Sequence, residues 1–338
     1  MDSCGHGDEH VGVPTRSILL FLALGVFWGI PYALIKISVG EIDPLMLCFA
    51  RTGIAALVLV PIALIRRDRI DLRRYWKPLL AYSLIEVVVP WFFLNTAETR
   101  LPSSTAGLML ASIPLVSLGI GVLFGRREHL SRLNWIGIAV STVGVVSIVG
   151  VNVAGSDPAS VAAVGVVVIG YAIGPMILSR WMPGAAGVGV AAASLSIAAI
   201  IYAPLTFATG AWPDRWPSSQ VIVCVLILAV VCSAAAFVIL VHLTSVMGPM
   251  RVTTVTYLNP VVAVLTGIVL LGEELTIGAV VGFLLVTAGA VLFGRRAVRS
   301  TGLDAQGRAD APRLAIVTPP DEPAAGRNAA AGRPGPPA

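Results

Sequence analysis

Apolar residues in this chain do not alternate with polar ones; they run. Uncharged, largely aliphatic stretches recur at the length a helix needs to cross hydrocarbon, roughly 20 residues at about 1.5 Å each. They fall at 17–38, 45–65, 78–98, 103–124, 133–152, 160–180, 186–208, 220–244, 251–271 and 276–294. Turn chemistry separates them, as at Glu41-Ile42-Asp43-Pro44, Gly155-Ser156-Asp157-Pro158, Pro183-Gly184 and Trp212-Pro213-Asp214-Arg215-Trp216-Pro217. The connection Leu271-Gly272-Glu273-Glu274 is short, but two carboxylates beside a glycine predict a turn rather than a kink. Backbone in lipid must bond internally, and no alternating barrel strands occur, so the spans are helices. The pattern predicts an all-α polytopic membrane protein with ten transmembrane helices.

Composition agrees. Of the 338 residues, 57% are hydrophobic and 12% charged, against about a quarter charged in globular proteins. So few charges cannot cover a water-soluble body of this size. Cys48, Cys224 and Cys232 lie inside apolar runs and Cys4 stands alone, which excludes a disulfide framework and a zinc site. The net charge of +5 is a topology signal. Alternate loops hold Arg66, Arg67, Arg69, Arg73, Arg74, Lys77, Arg126, Arg127, Arg132, Arg180 and Arg251; Arg16 precedes the first span, and Arg295, Arg296 and Arg299 follow the last. The opposite loops hold only Arg100 and Arg215. The positive-inside rule then puts both termini in the cytoplasm of a cell (inner) membrane protein, with the lipid bilayer and not nucleic acid as partner. Residues 1–16 are expected to be a cytoplasmic segment. The first apolar run is too long, and the residues before it too acidic, for a cleaved signal peptide. Residues 300–338, rich in Ala, Gly, Pro and Arg, read as a disordered cytoplasmic tail.

The second half of the chain echoes the first. Pro114 and Pro260, Gly121 and Gly267, and Glu128 and Glu274 match at an offset of 146; Gly137 and Gly282, Thr142 and Thr287, and Gly144 and Gly289 follow after a one-residue gap. Pro31 pairs with Pro175 and Lys36 with Arg180. The repeats are expected at 17–152 and 160–294. Five spans each is an odd number, so the halves are predicted to sit inverted in the bilayer, an architecture of secondary transporters with a midplane substrate site.

These repeats, the Phe27-Trp28-Gly29 opening, Pro44 ahead of Arg51, the mid-helix prolines followed by Gly-x-Glu-like loops, and the closing glycine-rich helices resemble the EamA-type drug/metabolite transporters. The resemblance covers about residues 17–295; Gly125-Arg126-Arg127-Glu128 departs from the usual Gly-Glu form by two arginines. It implies a ten-helix carrier, often an exporter of amino acids, metabolites or toxic compounds.

Polar and aromatic residues within the spans are the candidate chemistry. Gly25, Trp28, Gly29, Tyr32 and Lys36 share one helical face; the glycines suit close packing, Trp28 and Tyr32 can stack on a substrate, and Lys36 is expected to snorkel to the interface. Arg51 and Glu86 are ionisable groups in hydrocarbon, costly unless paired or hydrated. Arg51 suits a carboxylate or phosphate and Glu86 a proton or cation, the alternative being a structural polar lock between helices. Trp91, Asn95, Tyr171, Tyr257 and Asn259 complete the candidate cavity; Pro31, Pro90, Pro114, Pro175 and Pro260 are candidate hinges. His242 reads as structural, and Glu128 and Glu274 as helix caps. The pairs Gly137/Gly144 and Gly282/Gly289 predict close packing between repeats or protomers and permit a homodimer.

No phosphate-binding loop, metalloprotease helix or nucleophile elbow occurs, so no catalytic residue, metal or cofactor is expected. A membrane enzyme would need more titratable groups at one depth. The reading is a secondary transporter exporting a small metabolite, amino acid or drug in exchange for protons by alternating access. An importer or exchanger of anionic, including phosphorylated, metabolites is the alternative.

Overall fold

The computed structural model describes residues 15–68, 70–123, 135–137, 139–140, 142–144, 147, 157–185, 187–247, 252, 255–256, 258–274, 276–278 and 280–289. The N-terminal segment to residue 14, Glu128, Tyr257 and the expected tail 300–338 lie outside this set. Among the described residues there is no strand, and seven helices are long and apolar enough to cross a membrane. They are α1 (Thr15–Ser38), α2 (Pro44–Ile65), α3 (Leu72–Glu98), α4 (Ser103–Gly121), α6 (Pro158–Trp181), α7 (Val188–Ala208) and α8 (Ser219–Met247). Shorter apolar helices stand at the three remaining predicted positions: α5 (Trp135–Gly144), α9 (Leu258–Leu271) and α10 (Val280–Gly289).

Local chemistry sets the boundaries. The Asp43 carboxylate accepts the Leu45 N–H at 2.7 Å with Pro44 behind it, which starts α2. Asp71 accepts from the N–H groups of Arg73 and Arg74 at 3.0 and 3.2 Å, so α3 begins at Leu72, ahead of the expected residue 78. Residues 72–77 are helical but too charged for hydropathy to count them. Helix α1 breaks at Ile30 between Gly29 and Pro31, and α4 breaks at Ala111 and Ser112, just before Pro114.

The two halves pack through repeat-related pairs of contacts. Helix α3 meets α6 as α8 meets α1, α4 meets α6 as α9 meets α1, and α2 meets α8 as α7 meets α3; α2–α7 and α4–α9 pair across the centre. Glycines permit the closest approaches. A Cβ at Gly144 would lie 2.6 Å from the Gly282 carbonyl oxygen, so α5 and α10 cross backbone to backbone. Gly25 and Gly29 seat Leu258 and Val262 of α9. Leu57, Ile65, Ile200, Phe207, Val269 and Leu284 point outward, and Trp76, Trp135, Trp181, Trp212 and Trp216 are exposed at helix ends, as lipid-facing and interfacial side chains are.

Polar contacts tie the turns into two groups. At one end the Glu41 carboxylate accepts the Ser218 N–H and hydroxyl at 2.8 and 2.6 Å, Arg100 pairs with Asp157 at 2.8 Å, and Glu273 accepts the N–H groups of Ser103 and Ser104 at 2.7 and 2.9 Å. The Ser218 bonds hold the Glu41 carboxyl below its usual range; the Ser160 hydroxyl, then Arg100, do the same for Asp157. At the other end Asp68 accepts the Val188 N–H at 2.7 Å, and the Tyr75 hydroxyl donates to the Pro183 carbonyl at 3.4 Å.

Candidate functional site

Two of the helices leave α geometry within their spans, α3 as a π-helix over Ser83–Val88 and α8 over Ile227–Ala235. In α3 the cause is Pro90. It offers no N–H to the preceding turn, neither to the carbonyl of Glu86 four residues back nor to that of Ile85 five back, and the backbone widens around it. In α8 the Ser233 hydroxyl donates to the Leu228 carbonyl five residues back at 2.8 Å. The two widened segments fall at the same offset, about 145 residues, as the sequence repeat. Glu86 sits on the first and Ser233 on the second.

Arg51 joins the helices around them. It is 6% exposed on α2, its Nε donates to Ser233 Oγ at 3.1 Å, and its Cζ lies 3.8 Å from the centre of the Trp91 ring. A guanidinium stacked on a desolvated indole gains about 2 kcal/mol. Among the described residues only Nε is engaged, which leaves the outer N–H fork to receive a carboxylate or phosphate. Among the described residues no ion pair joins Arg51 to Glu86. Tyr171 of α6 stands within electrostatic reach of both, and Tyr32 within reach of Tyr171 and Arg51.

Glu86 is half-buried, and its Oε2 is buried with no hydrogen-bond partner among the described residues. The carboxylate lies directly on Gly174 of α6, where a Cβ would overlap it. One turn earlier, a Cβ at Gly170 would stand 2.5 Å from the Ile85 carbonyl oxygen and 2.6 Å from Pro90 Cγ. The Gly170/Gly174 seam therefore lets α6 sit on the widened part of α3. Asn95, 1% exposed, donates to Cys48 Sγ at 3.2 Å and to the Pro44 carbonyl at 3.5 Å, while its Oδ1 accepts nothing.

The remaining candidates lie elsewhere. Asn259 has a buried, unpartnered Oδ1 at the start of α9. Trp28 packs with Leu24, Ala236, Leu243, Val252 and Val255, in a different cluster from that holding Tyr32. Pro31 and Pro114 flank the breaks of α1 and α4, Pro90 follows the π segment, Pro260 lies in the first turn of α9, and Pro175 is inside the continuous α6. Lys36 does not snorkel: its Nζ donates to the carbonyls of Glu98 and Leu101 at 2.7 and 2.9 Å. Glu273, the neighbour of the predicted cap Glu274, caps α4 of the other repeat.

Four participants escape sequence reasoning. Ser233 and Gly174 look like ordinary small residues of apolar spans. Tyr202, 1% exposed, donates its hydroxyl to the Val88 carbonyl at the end of the π segment. Glu98 is fully buried with both carboxylate oxygens unpartnered among the described residues, yet in sequence it closes the span 78–98 beside Thr99-Arg100, where a carboxylate looks solvated. Among the described residues no group of three or more His, Cys, Asp or Glu is arranged to hold a metal.

The profile of the EamA-like transporter family matches this chain twice, over residues 15–150 and 159–295. The uncharacterized inner membrane transporter YedA of Escherichia coli is 31% identical over 294 residues, covering 82% of this chain and 92% of YedA. The uncharacterized transporter YvbV of Bacillus subtilis is 22% identical over 287 residues, covering 82% and 91%. A crystal structure that is 22% identical superposes with a TM-score of 0.61 over 84% of this chain and 98% of its own, a likeness of fold.

Proposed function

Because the chain belongs to the EamA-like transporter family, carrying its domain twice, we propose that it is a secondary transporter that exports a small metabolite, amino acid or drug in exchange for protons. The two copies sit inverted across the inner membrane as ten spans, with both termini cytoplasmic. Support for the inversion comes from the two groups of turns: Pro158, which opens the second copy, follows Asp157 at the Arg100 end, whereas Thr15 opens the first at the end of Asp68 and Val188.

The observation that carries the reading is the Arg51 guanidinium, buried on Trp91 between two repeat-related π segments with its outer fork unengaged among the described residues. The substrate lies against Arg51, Trp91, Tyr171 and Tyr32. Glu86 takes up the exchanged proton, its buried Oε2 having no donor to stabilise the ionised form. Alternating access moves the halves about the breaks at Pro31 and Pro114 and the widened turn before Pro90. An importer or exchanger of anionic metabolites is the second reading, favoured by the outer N–H groups of Arg51, which engage no partner among the described residues.

The test compares metabolites of medium and cytosol, by untargeted mass spectrometry, in cells producing the wild type, Glu86→Gln, or neither. A compound enriched outside only with the wild type supports proton-coupled export and identifies the substrate. Equal enrichment with Glu86→Gln removes Glu86 from the coupling, and depletion from the medium reverses the direction.

A further inference from the structure

Four residues beyond Tyr32 on α1, a second polar cluster closes the end of the bundle that also holds Glu41 and Ser218. Glu98, the last residue of α3, is fully buried, and neither carboxylate oxygen has a hydrogen-bond partner among the described residues. The Ser103 hydroxyl, at the start of α4, is equally buried and has no hydrogen-bond partner among the described residues. Lys36 from α1 and Glu273 from the α9–α10 turn act electrostatically on Glu98, with Arg51 of α2 and Tyr32 of α1 facing it from further in. Glu273 is satisfied by two N–H groups at the start of α4, and Lys36 by two carbonyls at the end of α3. These two charges already cancel.

From this arrangement we infer that Glu98 is a second proton-binding site, separate from Glu86, whose occupancy latches the α3–α4 and α9–α10 turns together. An ionised Glu98 would be a buried carboxylate without a single hydrogen-bond donor among the described residues, so the conformation described holds it as the neutral acid. When its O–H bond breaks and the proton leaves to water at this end of the bundle, the carboxylate draws the Lys36 ammonium from the carbonyls of Glu98 and Leu101. Those bonds fix the turn Thr99-Arg100-Leu101-Pro102 that aims Ser103 and Ser104 at Glu273. With the turn freed, the clasp between the repeats opens. Gly267 is part of the fit, since a Cβ there would lie 2.6 Å from Glu273 Oε2 and 3.1 Å from Ser103 Oγ. The latch serves, and rests on, the alternating access proposed above; the proton site does not depend on it.

Infrared difference spectroscopy of the purified full chain between acid and alkaline pH reads protonated carboxyls directly. The wild type is expected to carry a carboxylic C=O component at neutral pH that Glu98→Gln removes, Glu98→Asp moves in frequency, and Glu86→Gln retains. Absence of that component overturns the proton site, and if Glu98→Gln does not fold, Glu98→Asp carries the test. Lys36→Met is expected to move the component's titration midpoint to higher pH, and an unmoved midpoint refutes the coupling to Lys36. With the four native cysteines replaced by alanine, maleimide labelling of Ser104→Cys, divided at each pH by the rate of the same thiol in the SDS-unfolded chain to remove thiolate formation, is expected to accelerate on alkalinisation and to lose that response when Glu98→Gln is added. An unchanged response overturns the latch. A protonated Glu98 in a chain that exports nothing sinks the transport reading and leaves the proton site standing; export without the Glu98 component does the reverse.

Discussion

Replacing Arg51 by methionine removes the cation and keeps the volume. The loss is one cation–π contact, 3.8 Å from Cζ to the Trp91 ring and worth about 2 kcal/mol when desolvated, plus one charge-assisted hydrogen bond to Ser233, worth about 1.5–3 kcal/mol. Against this roughly 4 kcal/mol stands the desolvation of a 6% exposed guanidinium, itself several kcal/mol. The two nearly cancel, and the expected net change is within about 1 kcal/mol of zero. Trp91→Ala differs in kind, because it leaves the cation buried without its platform and opens a cavity; about 4 kcal/mol or more is expected. In the double variant the stack is already gone, so the two effects fall short of additivity by about 2 kcal/mol. Equilibrium unfolding of the purified chain in mixed dodecyl maltoside and SDS micelles measures all three. If Arg51→Met costs as much as Trp91→Ala, the cation is a structural lock, and the argument that it is held for a ligand fails.

Gly170→Ala drives a methyl against the Ile85 carbonyl and Pro90, and should cost about 1–3 kcal/mol in the same assay, while Gly53→Ala, with nothing within 4 Å of the added carbon, should cost nothing measurable. Tyr202→Phe removes one buried donor from the Val88 carbonyl and should lower stability by about 1 kcal/mol. Pro90→Ala supplies a backbone N–H, and hydrogen exchange should report a new protected amide at residue 90 along with loss of export, as the π segment relaxes. Glu41, held below its usual 4.5 by Ser218, adds stability that is full above that value and lost as pH falls through its lower folded value. Stability profiles of wild type and Glu41→Gln should therefore differ at neutral pH and converge in acid; parallel curves would contradict the sign.

The spans were legible because twenty-residue apolar runs have few alternatives. The early start of α3 was not, since Arg73, Arg74 and Lys77 cancel the hydropathy of a segment that Asp71 makes helical by capping. Arg51 and Glu86 stood out as charges in apolar sequence, and the rise per residue already stretched a direct bridge between them, but their actual partners were invisible: Glu86 lies on Gly174, and Ser233, 182 residues away, takes the arginine. Glu98 and Glu273 went unread for a related reason. At a span end a carboxylate looks solvated, and only the fold reveals that the other repeat covers it.

A π segment is a one-residue shim. Each added residue rotates the downstream part of the helix by about 100°, so the stretches of α3 before and after 83–88 present different sides of the helix to the interior, and α8 does likewise across 227–235. Deleting a single residue there would let the widened turn close to an α turn, with the helix on either side and both end turns left in register. A change of one residue in length is thus absorbed inside the span before it reaches the turns, and the duplicated chain carries the adjustable joint twice.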